Sequence, residues 1–194
     1  MKRSLSMAVF LLACLSPLAQ AQVRVEGQTF DANVRVGDSD LVLNGVGLRA
    51  VAWIKGYAAG LYLGAKASTP AAVLATPGAK RLQLRMLQDV GAQEFVKAID
   101  KGIGRNTPAP EQPALAERKA VFDGQVQALG KVKKGDVVNL DFVPGRGLVF
   151  SYNGQARGEP IAGEDFYDAL LGIFLGDQPV DGRLKQGLLG GAAS

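Results

Sequence analysis

The chain has 194 residues, 22 of them Lys or Arg and 18 Asp or Glu, with a formal charge of +4, one cysteine and no histidine. The missing histidine excludes Ser-His-Asp and Cys-His catalysis, the usual zinc ligand sets and haem held by His. The basic excess is small and not interleaved with aromatic residues, so nucleic acid is not an expected partner.

The chain opens MKRSLSMAVFLLACLSPLAQAQ. Lys2 and Arg3 precede an unbroken apolar run at 7–15, and Ala19-Gln20-Ala21 is a small-x-small cleavage site. This pattern predicts a secretory signal peptide over 1–21, too short to span a bilayer as a permanent helix. Cys14 offers lipoprotein acylation as an alternative. Cleavage after Ala21 leaves 173 residues with no cysteine, and 20 basic residues against 18 acidic ones. The expectation is a single domain over 22–194, periplasmic or secreted, with no stable membrane span after cleavage.

Residues 23–25 and 29–36 read as short strands, and Gly37-Asp38-Ser39-Asp40 as a turn. Residues 41–43 form a strand that Asn44-Gly45 is expected to end as a hairpin turn. Residues 48–63 are strand-like, in one or two pieces. Ser68-Thr69-Pro70 opens a short helix, with a hydroxyl at the cap and proline at its first position. RLQLRML (81–87) alternates polar and apolar residues, as a half-buried strand does. DVGAQEFVKAIDKGIG (89–104) is an amphipathic helix, and a second one covers 111–129, with the loop RNTPAPEQP joining them. DVVNLDFVPGRGLVFSYNGQARGEPI (136–161) reads as three strands linked by a Pro-Gly turn and an Asn153-Gly154 hairpin. GEDFYDALLGIFLG (163–176) is a helix with Phe166, Leu170, Ile173 and Phe174 facing inward, and its acidic start suits the helix dipole. A short helix in DQPVDGRLKQGLLG (177–190) closes the chain. The order predicts an α+β domain, an antiparallel sheet with helices packed on one face.

Two stretches carry a resemblance. The first is LNGVGLR (43–49) followed by KGYAAGLYLG (55–64). The second is KKGDVVNLDFVPGRGLVFSYNGQARGEPIAGEDFYDALLGIFLGDQPVDGRLKQGLLG (133–190). With these segments the chain resembles the chalcone isomerase-like family, in its secreted bacterial branch, from about Val25 to Gly190. The resemblance implies a chalcone isomerase-like fold: a large antiparallel sheet, a layer of helices on one face and a cleft between them. In plant enzymes of the family that cleft closes a chalcone to a flavanone. In related fatty-acid-binding members it holds a long-chain carboxylate. In both, an arginine after a Gly-x-Gly motif reaches into the cleft, and the matching residue here is Arg49. Tyr57 matches a second polar position, where the fatty-acid-binding members carry tyrosine.

Physical chemistry gives Arg49 a role of the same kind. A guanidinium stays charged at any relevant pH and presents a flat fork of donors, for which a carboxylate or phenolate is the natural partner. In an apolar cleft it is costly unless paired. The alternative is an arginine whose head lies in solvent or pairs with an internal Asp or Glu. Eight residues of straight strand span roughly 26 Å, so Arg49 and Tyr57 meet one head group only if the chain reverses between them, around 51–53, where neither Gly nor Pro occurs. Trp53, Tyr62 and Phe95 are expected in the core, and Lys55 in solvent.

The resemblance also implies what chalcone cyclisation requires: a tyrosine and an asparagine on the helix after the edge strand, and threonines nearby. The corresponding helix, GAQEFVKAIDKGIG, has neither tyrosine nor asparagine. Tyr57 stands where the enzymes have threonine, and 178–190 has none. Arg49 alone would stabilise developing negative charge without orienting the reactants. The expected function is therefore a non-catalytic periplasmic binding protein for a small amphipathic carboxylate such as a fatty acid. Its ligand-binding residues are Arg49 and Tyr57, with no catalytic residue, metal or cofactor. The alternatives are an intramolecular lyase or isomerase using Arg49, and a structural or partner-binding envelope module.

Overall fold

The computed structural model describes residues 22–191. The expected signal segment, with Cys14 and its cleavage site, lies outside the described residues. Strands β1 (Gln22–Val25) and β2 (Gln28–Asp31) form a separate hairpin. Then come β3 (Asn33–Val36), β4 (Ser39–Val51), β5 (Ile54–Leu63), helix α1 (Pro70–Ala75), β6 (Lys80–Met86), β7 (Val90–Gly91), α2 (Ala92–Asn106) and α3 (Gln112–Gln127). The chain continues through β8 (Lys131–Val132), β9 (Val137–Val143), β10 (Gly147–Tyr152), β11 (Gln155–Ala156), α4 (Glu164–Leu175) and α5 (Gly182–Leu188). Seven strands form one antiparallel sheet in the order β11-β10-β9-β6-β5-β4-β3. The α+β architecture expected from the element order is the one observed.

Strand alternation sorts the two faces. From β6, Leu82, Leu84 and Met86 enter the main core, where Val96 of α2, Phe122 of α3, Phe166 and Leu170 of α4, and Leu184 of α5 meet them. The helices thus occupy one face, as the binary pattern requires. On the opposite face β6 presents Arg81 and Gln83. Arg81 donates two 2.6 Å hydrogen bonds to Asp141, its register partner on β9. Gln83 bonds Asn139 at 2.9 Å, and Asn139 bonds Ser151 on β10 at 3.1 Å. Each buried polar group in this row is answered by the one directly across, the condition for polar burial without a large penalty. Farther along, Phe30 of β2 covers Gly60 and joins Leu43, Val46 and Tyr62 in a smaller second core.

Three expectations change. Residues 29–36 form two strands, not one, because the first half pairs with β1 outside the large sheet. Asn44-Gly45 is not a turn: β4 runs through it with a bulge between Leu43 and Gly45. The Asn44 side chain is buried and donates to the carbonyls of Ala67 (2.9 Å) and Leu188 (2.7 Å) while accepting from Ala67 N–H. It ties a loop and α5 to the strand instead of reversing it. Trp53 is 87% exposed, at the turn between β4 and β5, and not in the core.

Helix α5 lies against β4 backbone to backbone. A Cβ at Gly45 would overlap the Gly187 carbonyl, and one at Gly47 would stand 2.7 Å from the Leu184 carbonyl. Absent side chains at these positions set how close α5 comes, and thereby where its N-terminus sits. Gly47→Ala is expected to lower Tm by roughly 3–10 °C, from about 1–3 kcal/mol of overpacking. Gly182→Ala on the same helix, with open space around it, should leave Tm nearly unchanged. Thermal unfolding followed by circular dichroism checks both.

Candidate functional site

Strands β4 and β5 pair through to Val51 opposite Ile54, with Ala52 and Trp53 as the two turn residues. Ala52 takes the left-handed conformation, φ 51°, that such tight hairpins demand and that glycine would adopt at less cost. The required reversal therefore occurs without Gly or Pro. A register shift between Arg49 and Ala50 leaves Gly56 as the extra residue. Arg49 and Tyr57 then stand directly opposite one another. Directly opposed residues share a face, with Cβ atoms about 4.5–5.5 Å apart.

Both side chains, with Gly56 between them, line a cavity of about 460 Å³ between the sheet and the helices. Leu84, Val138, Leu140 and Phe150 form its sheet wall. Phe95 and Ile99 of α2, Phe122 and Val126 of α3, and Leu170 and Phe174 of α4 form the helix wall. Phe95, expected in the core, is thus a wall residue. The volume falls within the roughly 300–1,000 Å³ of small-molecule sites. Apart from Arg49 and Tyr57, the only polar side chain in the lining among the described residues is Glu94, which is bonded to Lys97 at 2.8 Å.

Arg49 has an internal partner. Its Nη1 donates to the Ala50 carbonyl at 2.8 Å and to Asp181 Oδ2 at 3.4 Å. Among the described residues, Nη2 and Nε make no hydrogen bond, so most of the fork is uncommitted. Asp181 is the N-cap of α5: its other oxygen accepts from Arg183 N–H at 2.9 Å and Leu184 N–H at 3.1 Å. Capping fixes the carboxylate in place, and the glycine seat of α5 brings it to Arg49. Sequence reasoning missed Asp181. The available signal was an Asp opening DGRLKQ, an N-cap pattern, which names a helix start but no distant partner.

Tyr57 is held in its neutral form. Burial pushes its phenol well above the ordinary tyrosine range; the Arg49 charge acts the other way, and the Asp181 charge adds to the rise. The hydroxyl is therefore a donor throughout the physiological range. Beside a guanidinium whose fork is partly free, this forms a corner suited to an anionic oxygen. No group of three or more metal-ligating side chains occurs among the described residues, and no helix among them is long and apolar enough to cross a membrane.

Spectrophotometric titration checks the state of Tyr57. Tyr57→Phe is expected to leave the phenolate absorbance below pH 10 unchanged, because the wild-type hydroxyl ionises only above the ordinary range. A loss of absorbance near pH 10 would place its ionisation at the ordinary value and refute the burial argument.

Comparison with known proteins bears on the fold. The chain superposes on a fatty-acid binding protein of Arabidopsis thaliana with a TM-score of 0.64 at 16% identity, covering 87% of this chain and 96% of that one. At that identity the likeness speaks for the fold alone. Among curated proteins, none matches this sequence. The family model described as chalcone isomerase-like matches residues 22–190, in agreement with the curled seven-stranded sheet and helical layer. The chain belongs to the chalcone isomerase-like family.

Proposed function

We propose that this protein is a non-catalytic binding protein for a small amphipathic anion, a fatty acid in the simplest case. The reading includes the family's secreted bacterial branch and a periplasmic or secreted location, on the strength of the signal-like residues 1–21. One observation carries it: an apolar hollow of about 460 Å³ has its polar corner at Arg49 and Tyr57. The Arabidopsis protein of the same fold, described as fatty-acid binding, adds support by analogy.

The hollow forgoes packing contacts that folded cores ordinarily make, since these hold few voids larger than a water molecule. An acyl chain against Leu140, Phe150 and Phe174 recovers such contacts, while its carboxylate takes the free edge of Arg49 and the Tyr57 hydroxyl. Asp181 partly answers the guanidinium charge before the ligand arrives, through a single 3.4 Å contact for which the ligand's carboxylate would compete. Among the described residues the lining supplies only Arg49, Tyr57 and the lysine-bonded Glu94 as polar groups, a poor set for positioning both a base and an enone.

A structural or partner-binding module is the second reading, favoured by the Arg49–Asp181 contact. Ligand extraction separates the two. Protein purified without detergent and extracted with organic solvent is expected to yield carboxylic acids by mass spectrometry, and Arg49→Gln to yield far less. In direct titration Arg49→Gln should weaken fatty-acid binding by roughly 10- to 100-fold, the worth of a charge-assisted hydrogen bond. Identical, empty extracts from both proteins would remove the binding reading, and turnover of a chalcone by the wild type would restore an isomerase.

Asp181→Asn retains an N-cap acceptor but removes the carboxylate competing for Arg49. It is expected to tighten fatty-acid binding several-fold with little change in Tm. Weaker binding would mean that Asp181 serves the site by holding Arg49 rather than by competing for it.

A further inference from the structure

The turn that brings Arg49 opposite Tyr57 carries a side chain with no use in the fold. Trp53 is 87% exposed, and its neighbours Val51 and Ile54 are 58% and 53% exposed. These are three of the most exposed large apolar residues among those described. They fall within the four residues 51–54 of one hairpin, and Val51 and Ile54 also belong to the cavity lining. The apolar tip is therefore continuous with the cavity mouth. Scattered exposed apolar residues need no explanation, whereas a cluster rimming a binding site does.

Strand register places a second feature at the same end of the sheet. Tyr57 pairs with Met86, and Met86 N–H donates to the Asp136 carbonyl. The β8–β9 loop, with Lys133 and Lys134, thus lies two strands across from the β4–β5 turn. Lys55 is paired with Glu26 at 2.6 Å and Lys131 with Asp89 at 2.8 Å. Lys133 and Lys134 are exposed and make no ion pair among the described residues. Two carboxylates lie beside them: Asp136 accepts from Tyr152, Asn153 and the Lys133 N–H, and Asp89 from the Lys134 N–H, yet neither forms an ion pair with the Lys133 or Lys134 ammonium group among the described residues. An exposed indole beside aliphatic side chains, with exposed lysines free of ion pairs at the same end, matches the interface of an anionic bilayer: aromatic rings at the headgroup level and cations against phosphate.

We propose that the β4–β5 tip docks the protein on anionic lipid bilayers, with Trp53, Val51 and Ile54 entering the interfacial layer and Lys133 and Lys134 meeting headgroups. Docking sets the cavity mouth on the membrane, so that an amphipathic ligand passes between bilayer and cavity without crossing water. The transfer part rests on the binding function proposed above; the docking part does not.

Trp53 is the chain's single tryptophan, so its fluorescence reports this site alone. Vesicles of phosphatidylglycerol and phosphatidylethanolamine are expected to shift its emission to shorter wavelength, and brominated acyl chains to quench it. Trp53→Ser should sediment with these vesicles roughly tenfold less than wild type; both proteins carry the same N-terminal segment, so the difference isolates the tip. Lys133→Glu combined with Lys134→Glu should weaken binding to the anionic vesicles by roughly tenfold and leave binding to phosphatidylcholine vesicles unchanged. Emission indifferent to vesicles, or equal sedimentation of Trp53→Ser and wild type, would overturn the proposal. So would a short-wavelength shift that appears without lipid and grows with protein concentration, because a second copy would then cover the tip. Fatty-acid titration of Trp53→Ser keeps the two readings apart: retained affinity with lost vesicle binding supports docking by this tip. Vesicle binding by a wild type that holds no fatty acid leaves docking standing and sinks the ligand reading.

Discussion

A guanidinium cannot shed its charge, so an arginine at the edge of an apolar hollow has to be answered by something. Here the answer is partial. Asp181 reaches one nitrogen of Arg49 at 3.4 Å, and the Ala50 carbonyl shares that nitrogen. The same carboxylate is already bound by two backbone N–H groups at the start of α5, so it cannot follow the arginine about. The charge is steadied without being used up. Much of the local architecture serves this arrangement: glycines at 45, 47 and 187 let α5 approach the backbone of β4, and Asn44 ties Leu188 to the same strand.

The second constraint is the hollow itself. The seven-stranded sheet and the helical layer share one continuous core, yet large side chains from both walls stop short of meeting over part of it. The sheet tolerates this because its other face is independently secured. The Arg81–Asp141 pair and the Gln83–Asn139–Ser151 row bind β6, β9 and β10 to each other, and the β1–β2 hairpin seals Gly60 and Tyr62 with Phe30.

Much of this was legible in the residues. Alternation in RLQLRML located β6 and its faces, the Thr69-Pro70 cap located α1, and the inward positions of α4 proved buried. The errors share a cause. Asn44-Gly45 has the chemistry of a turn, but its side chain found backbone partners in a loop and in α5, and long-range bonds outweighed local preference. Trp53 has the composition of a core residue, yet core membership depends on which side of a reversal a residue falls. At the Ala52-Trp53 turn both residues lie outside the pairing, and no described residue packs over them.

By itself the sequence determined the kinds of chemistry open to this protein: no histidine, a permanent cation beside apolar strands, and element periodicities that lead to an antiparallel sheet under helices. Only the tertiary structure decided which groups share a site. Arg49 and Tyr57 oppose each other because one tight turn and one bulge set their register. Asp181 joins them from 132 positions away because three glycines let a helix settle on a strand. Periodicity and propensity act over a few residues and leave their mark in the local pattern. Contacts between distant segments depend on how whole surfaces fit, and no short stretch of sequence encodes that fit.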